Sequence, residues 1–346
     1  MKREIFVGNV GIGGNHHISI QSMTSTKTED VQSTLNQIIN LQKEGCEIIR
    51  VAITDRSSLS PFKQIVKESP IPVIADIQFD SYLALKSIEN GANGIRINPG
   101  NIGSKEKLKE ILKLANQRKV PIRIGVNSGS IEKKYRDHSN SIPEAMIGSV
   151  MDKVKFFEDN DFFNIKISLK SSNVKETVQA YRIIDKKCDY PLHLGVTETG
   201  TFFSGAIKSA IGIGSLLLDG IGNTIRVSLT EDPIKEIQVA KEILKALGLR
   251  KNELEIISCP TCSRTTVNLI SIVKKVEKKL KKIKLNKKLK VAIMGCEVNG
   301  PGEAKEADIG IAFSKKRGYI FKKGEMIEII NPDKAINRLV ELIEKL

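Results

Sequence analysis

Between residues 18 and 248, short apolar runs of strand length alternate with longer stretches whose apolar positions recur every three to four residues. The strand candidates are residues 18–23, 48–53, 73–77, 94–98, 122–126, 164–168, 192–197 and 224–228. Segments such as "VQSTLNQIINLQKEG" and "SKEKLKEILKLANQR" lie between them with helical spacing, and the first closes on Gly45, a natural helix stop. Eight strands, each followed by a helix, predict an α/β fold: a (β/α)8 barrel of the TIM type. A doubly wound sheet is the runner-up, but eight strands would be long for it and no glycine fingerprint follows the first strand. The eighth helix has Asp232 as N-cap, Pro233 at its first position and Gly248 just past its end.

A polar stretch, "LRKNE", then introduces a different rhythm. "LEIISC", "KVAIMGC", "DIGIAF" and "YIFKKGEMIEII" read as strands, with helices expected at 265–282 and 333–345. The expected organisation is a barrel over residues 1–250 and a small α+β domain over 251–346.

Six of the barrel strands share an odd feature: a basic residue flanked by aliphatic ones. These are Ile49-Arg50-Val51, Ile95-Arg96-Ile97, Ile122-Arg123-Ile124, Ile165-Lys166-Ile167, Leu192-His193-Leu194 and Ile225-Arg226-Val227. Side chains alternate faces along a strand, so if the aliphatic residues lie under the helices, the cations point into the barrel. The same alternation places Asn127, Ser228, Asp76 and Gln78 inside. Barrel interiors are normally filled by Val, Ile and Leu. Isolated buried charges are costly to desolvate, and one or two acids cannot pair them all. Carboxylates arriving from elsewhere would be the plain explanation. The functional one is a cup for a small, multiply charged anion at the C-terminal mouth, where "NPGNIG", "NSGSIEKKYRDHSNS" and "TETGTFFSG" gather.

Composition changes this picture little. The 346 residues are 40% hydrophobic and 27% charged, with a formal net charge of +15. No apolar run is long enough to span a membrane and the start lacks a signal peptide's apolar core, so a cytoplasmic protein is expected. Ten lysines fall between Lys274 and Lys290, with Glu277 the only acid among them. That run suits a solvated face, a dock for an acidic protein, or nucleic-acid contact; no nucleic-acid role is expected.

Five cysteines, unevenly spread, argue against a disulfide framework in so long a chain. Cys46 and Cys188 lie at element ends and read as packing residues. "SCPTCSR" supplies Cys259-x-x-Cys262, and "MGCEVNGPGE" supplies Cys296. The pair is compatible with a redox dithiol, half a zinc site, or part of an iron–sulfur cluster. All four histidines lie at or before residue 193, so a zinc site in this domain would need a carboxylate. Three thiolates with Glu303 as an acidic fourth ligand suit a cluster with one exchangeable iron.

Together "VGNV", "QSMT", "ADIQFD", "RINPGNIG", "RIGVNSGS", "HLGVTE", "SGAIKSAIG", "RVSL", "CPTCSR" and "GCEVNGPGE" closely resemble the 4-hydroxy-3-methylbut-2-enyl diphosphate synthase family of the non-mevalonate isoprenoid pathway. The likeness covers nearly the whole chain and corresponds to the two-domain bacterial form. It implies a homodimeric iron–sulfur oxidoreductase that reductively opens 2-C-methyl-D-erythritol 2,4-cyclodiphosphate. Two electrons would come from reduced flavodoxin or ferredoxin through a 4Fe–4S cluster. By this resemblance Cys259, Cys262, Cys296 and Glu303 hold the cluster, and Glu198 is the acid–base or electrostatic residue beside the substrate. Arg50, Arg96, Arg123, Lys166 and Arg226 match diphosphate-binding positions, with Asn127 and Ser228 assisting; Asn98 and His193 complete the expected substrate set.

Two positions depart from the family pattern. Gln78 stands where the family usually has His, so no proton transfer is assigned to it. Glu297 follows Cys296 where an apolar residue is usual. Chain geometry adds one expectation about assembly. The eighth helix should run back to the bottom of the barrel, leaving seven residues from Gly248 to Leu254. These reach about 25 Å at full stretch, too short to wrap over the rim, so the second domain should serve a partner's barrel.

Overall fold

The computed structural model describes residues 2–98, 101–250, 254–280, 283, 288–297 and 307–346. The chain divides into two compact units, Met1–Leu249 and Arg250–Leu346. In the first, a hairpin of β1 (Ile5–Val7) and β2 (Val10–Ile12) precedes eight parallel strands. These are β3 (Ser19–Met23), β4 (Ile48–Ala52), β5 (Val73–Asp76), β6 (Gly94–Ile97), β7 (Ile122–Asn127), β8 (Ile165–Lys170), β9 (His193–Leu194) and β10 (Thr224–Ile225). They pair in sequence order from β3 to β8, β10 pairs with both β3 and β9, and an Ile167–Leu192 bridge closes the ring. All eight expected strands are present, which makes this unit a (β/α)8 barrel. The last two are only two residues long each.

The expected alternation holds. Ile49, Val51, Ile95, Ile97, Ile122, Ile124, Ile165, Ile167, Leu192, Leu194, Ile225 and Val227 all belong to one apolar layer shared with the surrounding helices. Ile48 and Ile74 point the other way and pack with Ile5, Val7 and Ile12, so the hairpin closes the N-terminal end of the barrel. Sequence reading missed that hairpin, whose strands are only three residues each.

Helix ends follow local chemistry. Helix Val31–Glu44 starts where the Asp30 carboxylate accepts from Ser33 N, and ends on Gly45 at φ 107°, a left-handed cap that glycine adopts freely. Helix Pro233–Ala246 is capped by Asp232, which accepts from Ile234 N.

The second unit is a five-stranded sheet ordered β11 (Leu254–Ser258), β12 (Leu289–Met294), β13 (Ile309–Phe313), β14 (Gly318–Lys322) and β15 (Glu325–Ile330). The first three strands run parallel and the last two antiparallel. Helices Leu269–Leu280 and Pro332–Glu344 cover one face, burying Leu269, Val276, Leu280, Leu339 and Ile343 against Val291, Ile293 and Ile311. The first of these helices begins four residues later than expected, because residues 263–268 form a loop tied to the neighbouring strand end. No helix among the described residues is long and apolar enough to cross a membrane.

Candidate active site

The barrel interior is a band of charge. Arg96 of β6 lies opposite Asp76 of β5 on one side and Arg123 of β7 on the other, and Arg123 lies opposite Lys166 of β8. Asp76 takes Arg96 Nη1 at 3.3 Å on Oδ1 and Arg50 Nε at 3.4 Å on Oδ2. Glu236, entering from helix Pro233–Ala246, lies 3.7 Å from Arg226 Nη2 and accepts from Leu229 N and Ser22 Oγ. These two carboxylates do not exhaust the donors. Among the described residues, Arg96 Nε, both Arg123 Nε and Nη1, Lys166 Nζ, His193 Nε2 and Arg226 Nε are buried without a hydrogen-bond partner. Buried polar groups are nearly always satisfied, so such a cluster of orphaned donors marks a place built to receive acceptors.

The electrostatics agree. Burial alone would raise the Asp76 carboxyl, but the guanidiniums of Arg50, Arg96 and Arg123 hold it below its ordinary value. Burial lowers Arg50 to about 10 and Lys166 to about 7, with neighbouring cations adding to both. Burial and the like charges around them push Arg123 and His193 well below their usual values. His193 is therefore neutral near pH 7, its Nδ1 2.6 Å from Thr224 Oγ1 and its carbonyl accepting from the Tyr181 hydroxyl.

Sequence reasoning overlooked Lys170. It lies four residues after Lys166 on β8, on the same inward face, and burial with Arg123 and Arg226 nearby drives it well below its ordinary pKa. Its Nζ passes over Gly195: a Cβ there would sit 2.8 Å from it and 2.7 Å from the Arg226 carbonyl. The lysine reaches across only because that residue has no side chain. The signal was the simple two-residue period that had already singled out Lys166. Glu236 was also missed, because it arrives from a helix.

The remaining predicted residues surround this band. Asn98 is buried with its Oδ1 3.4 Å from Lys153 Nζ; that lysine also pairs with Glu132 at 2.8 Å. Asn127 ends β7 half-buried, and the half-buried Ser228 accepts on its carbonyl from Thr199 Oγ1. Glu198 is exposed beyond β9 with φ at 54°, in the left-handed region that a side chain with a Cβ rarely occupies. Gln78 accepts from Arg96 Nη1 at 3.0 Å on its Oε1, and its Nε2 points back at Asp76 Oδ1 at 3.5 Å. It steadies Arg96 as an amide.

In the second unit Cys259 follows β11 and Cys296 lies two residues beyond β12, and those strands are parallel neighbours with Ser258 opposite Ile293. Their ends therefore carry the thiols to one edge of the sheet. Gly295 N points at Cys259 Sγ at 3.3 Å, and Cys262 is exposed with its N–H donating to Thr265 Oγ1. Glu297 is exposed. Glu303 lies outside the described residues, and among those described no three His, Cys, Asp or Glu side chains form a metal-binding group. Cys46 is buried with its thiol pushed up to about 12, and Cys188 packs against the barrel core, as packing residues would.

The GcpE TIM-barrel model matches residues 2–241, and the GcpE C-terminal-domain model matches residues 255–345. The chain belongs to the GcpE family. A 4-hydroxy-3-methylbut-2-en-1-yl diphosphate synthase (flavodoxin) from Clostridium perfringens is 53% identical, with 99% of this chain and 98% of the relative covered. One of the same name from Caldanaerobacter subterraneus is 54% identical, with 100% and 97% covered. Among solved structures, the Yersinia pestis dihydropteroate synthase has a TM-score of 0.52 at 8% identity, covering 72% of this chain and 100% of its own. That likeness concerns the barrel fold alone. Both GcpE domain models are thus matched along this chain.

Proposed function

We propose that the chain reductively opens 2-C-methyl-D-erythritol 2,4-cyclodiphosphate to 4-hydroxy-3-methylbut-2-enyl diphosphate in the non-mevalonate route to isoprenoids. Two electrons and two protons enter, the cyclic diphosphate opens, and one oxygen leaves as water. The observation that carries this reading is the set of orphaned, buried donors on Arg96, Arg123, Lys166 and Arg226 inside a barrel of the GcpE family. In the proposed site these groups, with Arg50 and Lys170, receive the two phosphates of the substrate.

Opening the ring turns a bridging phosphate oxygen into a terminal one and so adds negative charge. A preorganised cationic cup favours that product-like charge over the closed ring, which assists the leaving group as well as binding. Asn98, Asn127, Ser228 and the neutral His193 supply hydrogen bonds around the carbon skeleton. Glu198, held on the loop after β9, is assigned the acid–base or electrostatic role at the reacting carbon.

A 4Fe–4S cluster fits the thiol set, because two adjacent parallel strand ends carry Cys259 and Cys296 and the exposed Cys262 follows three residues after the first. These three would hold the cluster with Glu303 as the fourth ligand. When bound, the cluster supplies low-potential electrons and a Lewis-acidic iron. Reduced flavodoxin or ferredoxin is the proposed donor, and the cytoplasm the proposed location. A homodimer is the proposed assembly. Co-expression of Arg96→Leu and Cys262→Ser chains tests that arrangement: shared sites regain activity, whereas inactive mixed dimers contradict it.

The reaction is tested by incubating anaerobically iron-loaded protein with the cyclodiphosphate and a reduced donor. Linear diphosphate formed only with iron and donor supports the reading. A hydrolysis or aldol product from iron-free protein refutes it.

A further inference from the structure

We propose that the exposed face of helix Leu269–Leu280 formed by Ile270, Lys274, Lys275 and Lys278 is the docking surface for an acidic electron-donor protein of the flavodoxin kind. The inference rests on the reaction proposed above and adds where the donor binds.

Position is the first argument. The helix starts against the thiol-bearing edge of the sheet. A Cβ on Gly295 would lie 3.2 Å from Leu269 Cδ2 and 2.8 Å from Thr265 Cγ2, so the loop and the first helical residue pack directly on that glycine. The same glycine points its N–H at Cys259 Sγ, 3.3 Å away, and accepts from Thr266 N at 3.0 Å. Lys274 and Lys278 lie five and nine residues beyond Leu269, about 8 Å and 13 Å along the axis at 1.5 Å per residue. A protein seated on this face is within one helix length of the thiols. Electron exchange between proteins demands that kind of closeness.

Chemistry is the second. Leu269, Val276 and Leu280 face inward, which turns Ile270, Lys274 and Lys278, at i, i+4 and i+8, to solvent. Ile270 is 58% exposed, an apolar centre among cations, the arrangement expected of an interface with an apolar core and a polar rim. Lys274, Lys275 and Lys278 enter no ion pair among the described residues. Their charge remains available to an acidic partner, for which it would raise the rate of encounter in a salt-dependent way.

The test replaces all three lysines (Lys274→Glu, Lys275→Glu, Lys278→Glu) in iron-loaded enzyme and measures turnover with reduced flavodoxin and with reduced methyl viologen. The expected result is a KM for flavodoxin raised at least tenfold, with weakened salt dependence, and viologen-driven turnover within about twofold of the parent. A control that reverses Lys63, Lys109 and Lys113 on the barrel exterior should leave the flavodoxin KM unchanged. An unchanged KM in the first variant, or an equal rise in the control, overturns the proposal. If both donors lose rate together, the gentler Lys→Gln triple decides, and an equal loss there also overturns it. Should the parent form no product even with viologen, the assigned reaction fails instead. The docking surface is then judged by flavodoxin titration alone: binding to the parent but not the triple variant upholds it, and equal binding, or none to the parent, refutes it.

Discussion

Arg96 Nη1 lies 3.3 Å from Asp76 Oδ1, across the β5–β6 register, while Nε of the same guanidinium has no hydrogen-bond partner among the described residues. Arg96 is thus half neutralised. One carboxylate serves Arg50 and Arg96 together, too little to satisfy the band of cations. In the proposed site this shortfall separates residues that stabilise the protein from residues that would receive substrate.

The separation predicts opposite effects on stability. Asp76→Asn removes the shared counter-charge and should cost about 3–5 kcal/mol, the usual penalty for breaking a buried pair. Since the Asp76 carboxyl is held low, its contribution is present above the unfolded pKa and is lost as pH falls through the lower folded value. The gap between parent and variant should therefore narrow below about pH 4. Arg123→Leu removes a buried cation with two orphaned nitrogens and should stabilise ligand-free protein by about 1–3 kcal/mol. Urea unfolding without ligand checks both; a destabilised Arg123→Leu would show a partner that the barrel does not otherwise reveal.

Lys166 gives a pH signature. Burial lowers its amine to about 7 in the folded barrel, against about 10.4 in an unfolded chain. Between those values the unfolded state holds the extra proton, so this lysine's cost to stability is full below pH 7 and fades toward pH 10. Lys166→Met should therefore stabilise the ligand-free protein by on the order of 2–4 kcal/mol at pH 6. The advantage should shrink steadily as pH rises. A constant difference from pH 6 to 10 would mean that Lys166 keeps its proton.

Glu198 occupies a left-handed backbone position that glycine takes without strain. Glu198→Gly should raise stability by about 1 kcal/mol while abolishing turnover. Glu198→Gln should keep substrate affinity and lower kcat by about 100-fold or more. Thermal midpoints and a kcat–KM comparison check the pair, and a Gln variant with a normal kcat would remove the residue from the chemistry.

Iron removal should expose the thiols unequally. In iron-free protein Cys262, at the surface, should be alkylated first and the buried Cys46 last; loading with iron and sulfide should protect Cys262 and Cys259. Cys259→Ser should lose most iron, and Glu303→Ala should retain a coloured cluster without turnover. Mass spectrometry of labelled peptides and iron analysis provide the readout, and a colourless Glu303→Ala would argue against an exchangeable fourth ligand.

The barrel could be read from the sequence because its strands state their two faces plainly: Ile95 and Ile97 sit in the outer layer and Arg96 between them faces in. The positions that escaped reading depend on three-dimensional approach. Lys170 shares the period of Lys166 but ends its strand, and only the bare backbone of Gly195 shows that its amine crosses toward Arg226. Glu236 belongs to a helix whose amphipathic pattern explains it as a stray polar residue, until Ser22 and Leu229 N are found bonded to it. The hairpin at the barrel floor escaped because two three-residue strands carry too little pattern to stand out.

Calorimetric titration of 2-C-methyl-D-erythritol 2,4-cyclodiphosphate into the parent and into Arg96→Leu, Arg123→Leu and Arg226→Leu tests the cationic cup most directly. Each lost charge-assisted contact should cost about 1.5–3 kcal/mol, so every variant should bind at least tenfold more weakly while remaining folded. Affinity unchanged in all three would contradict the account.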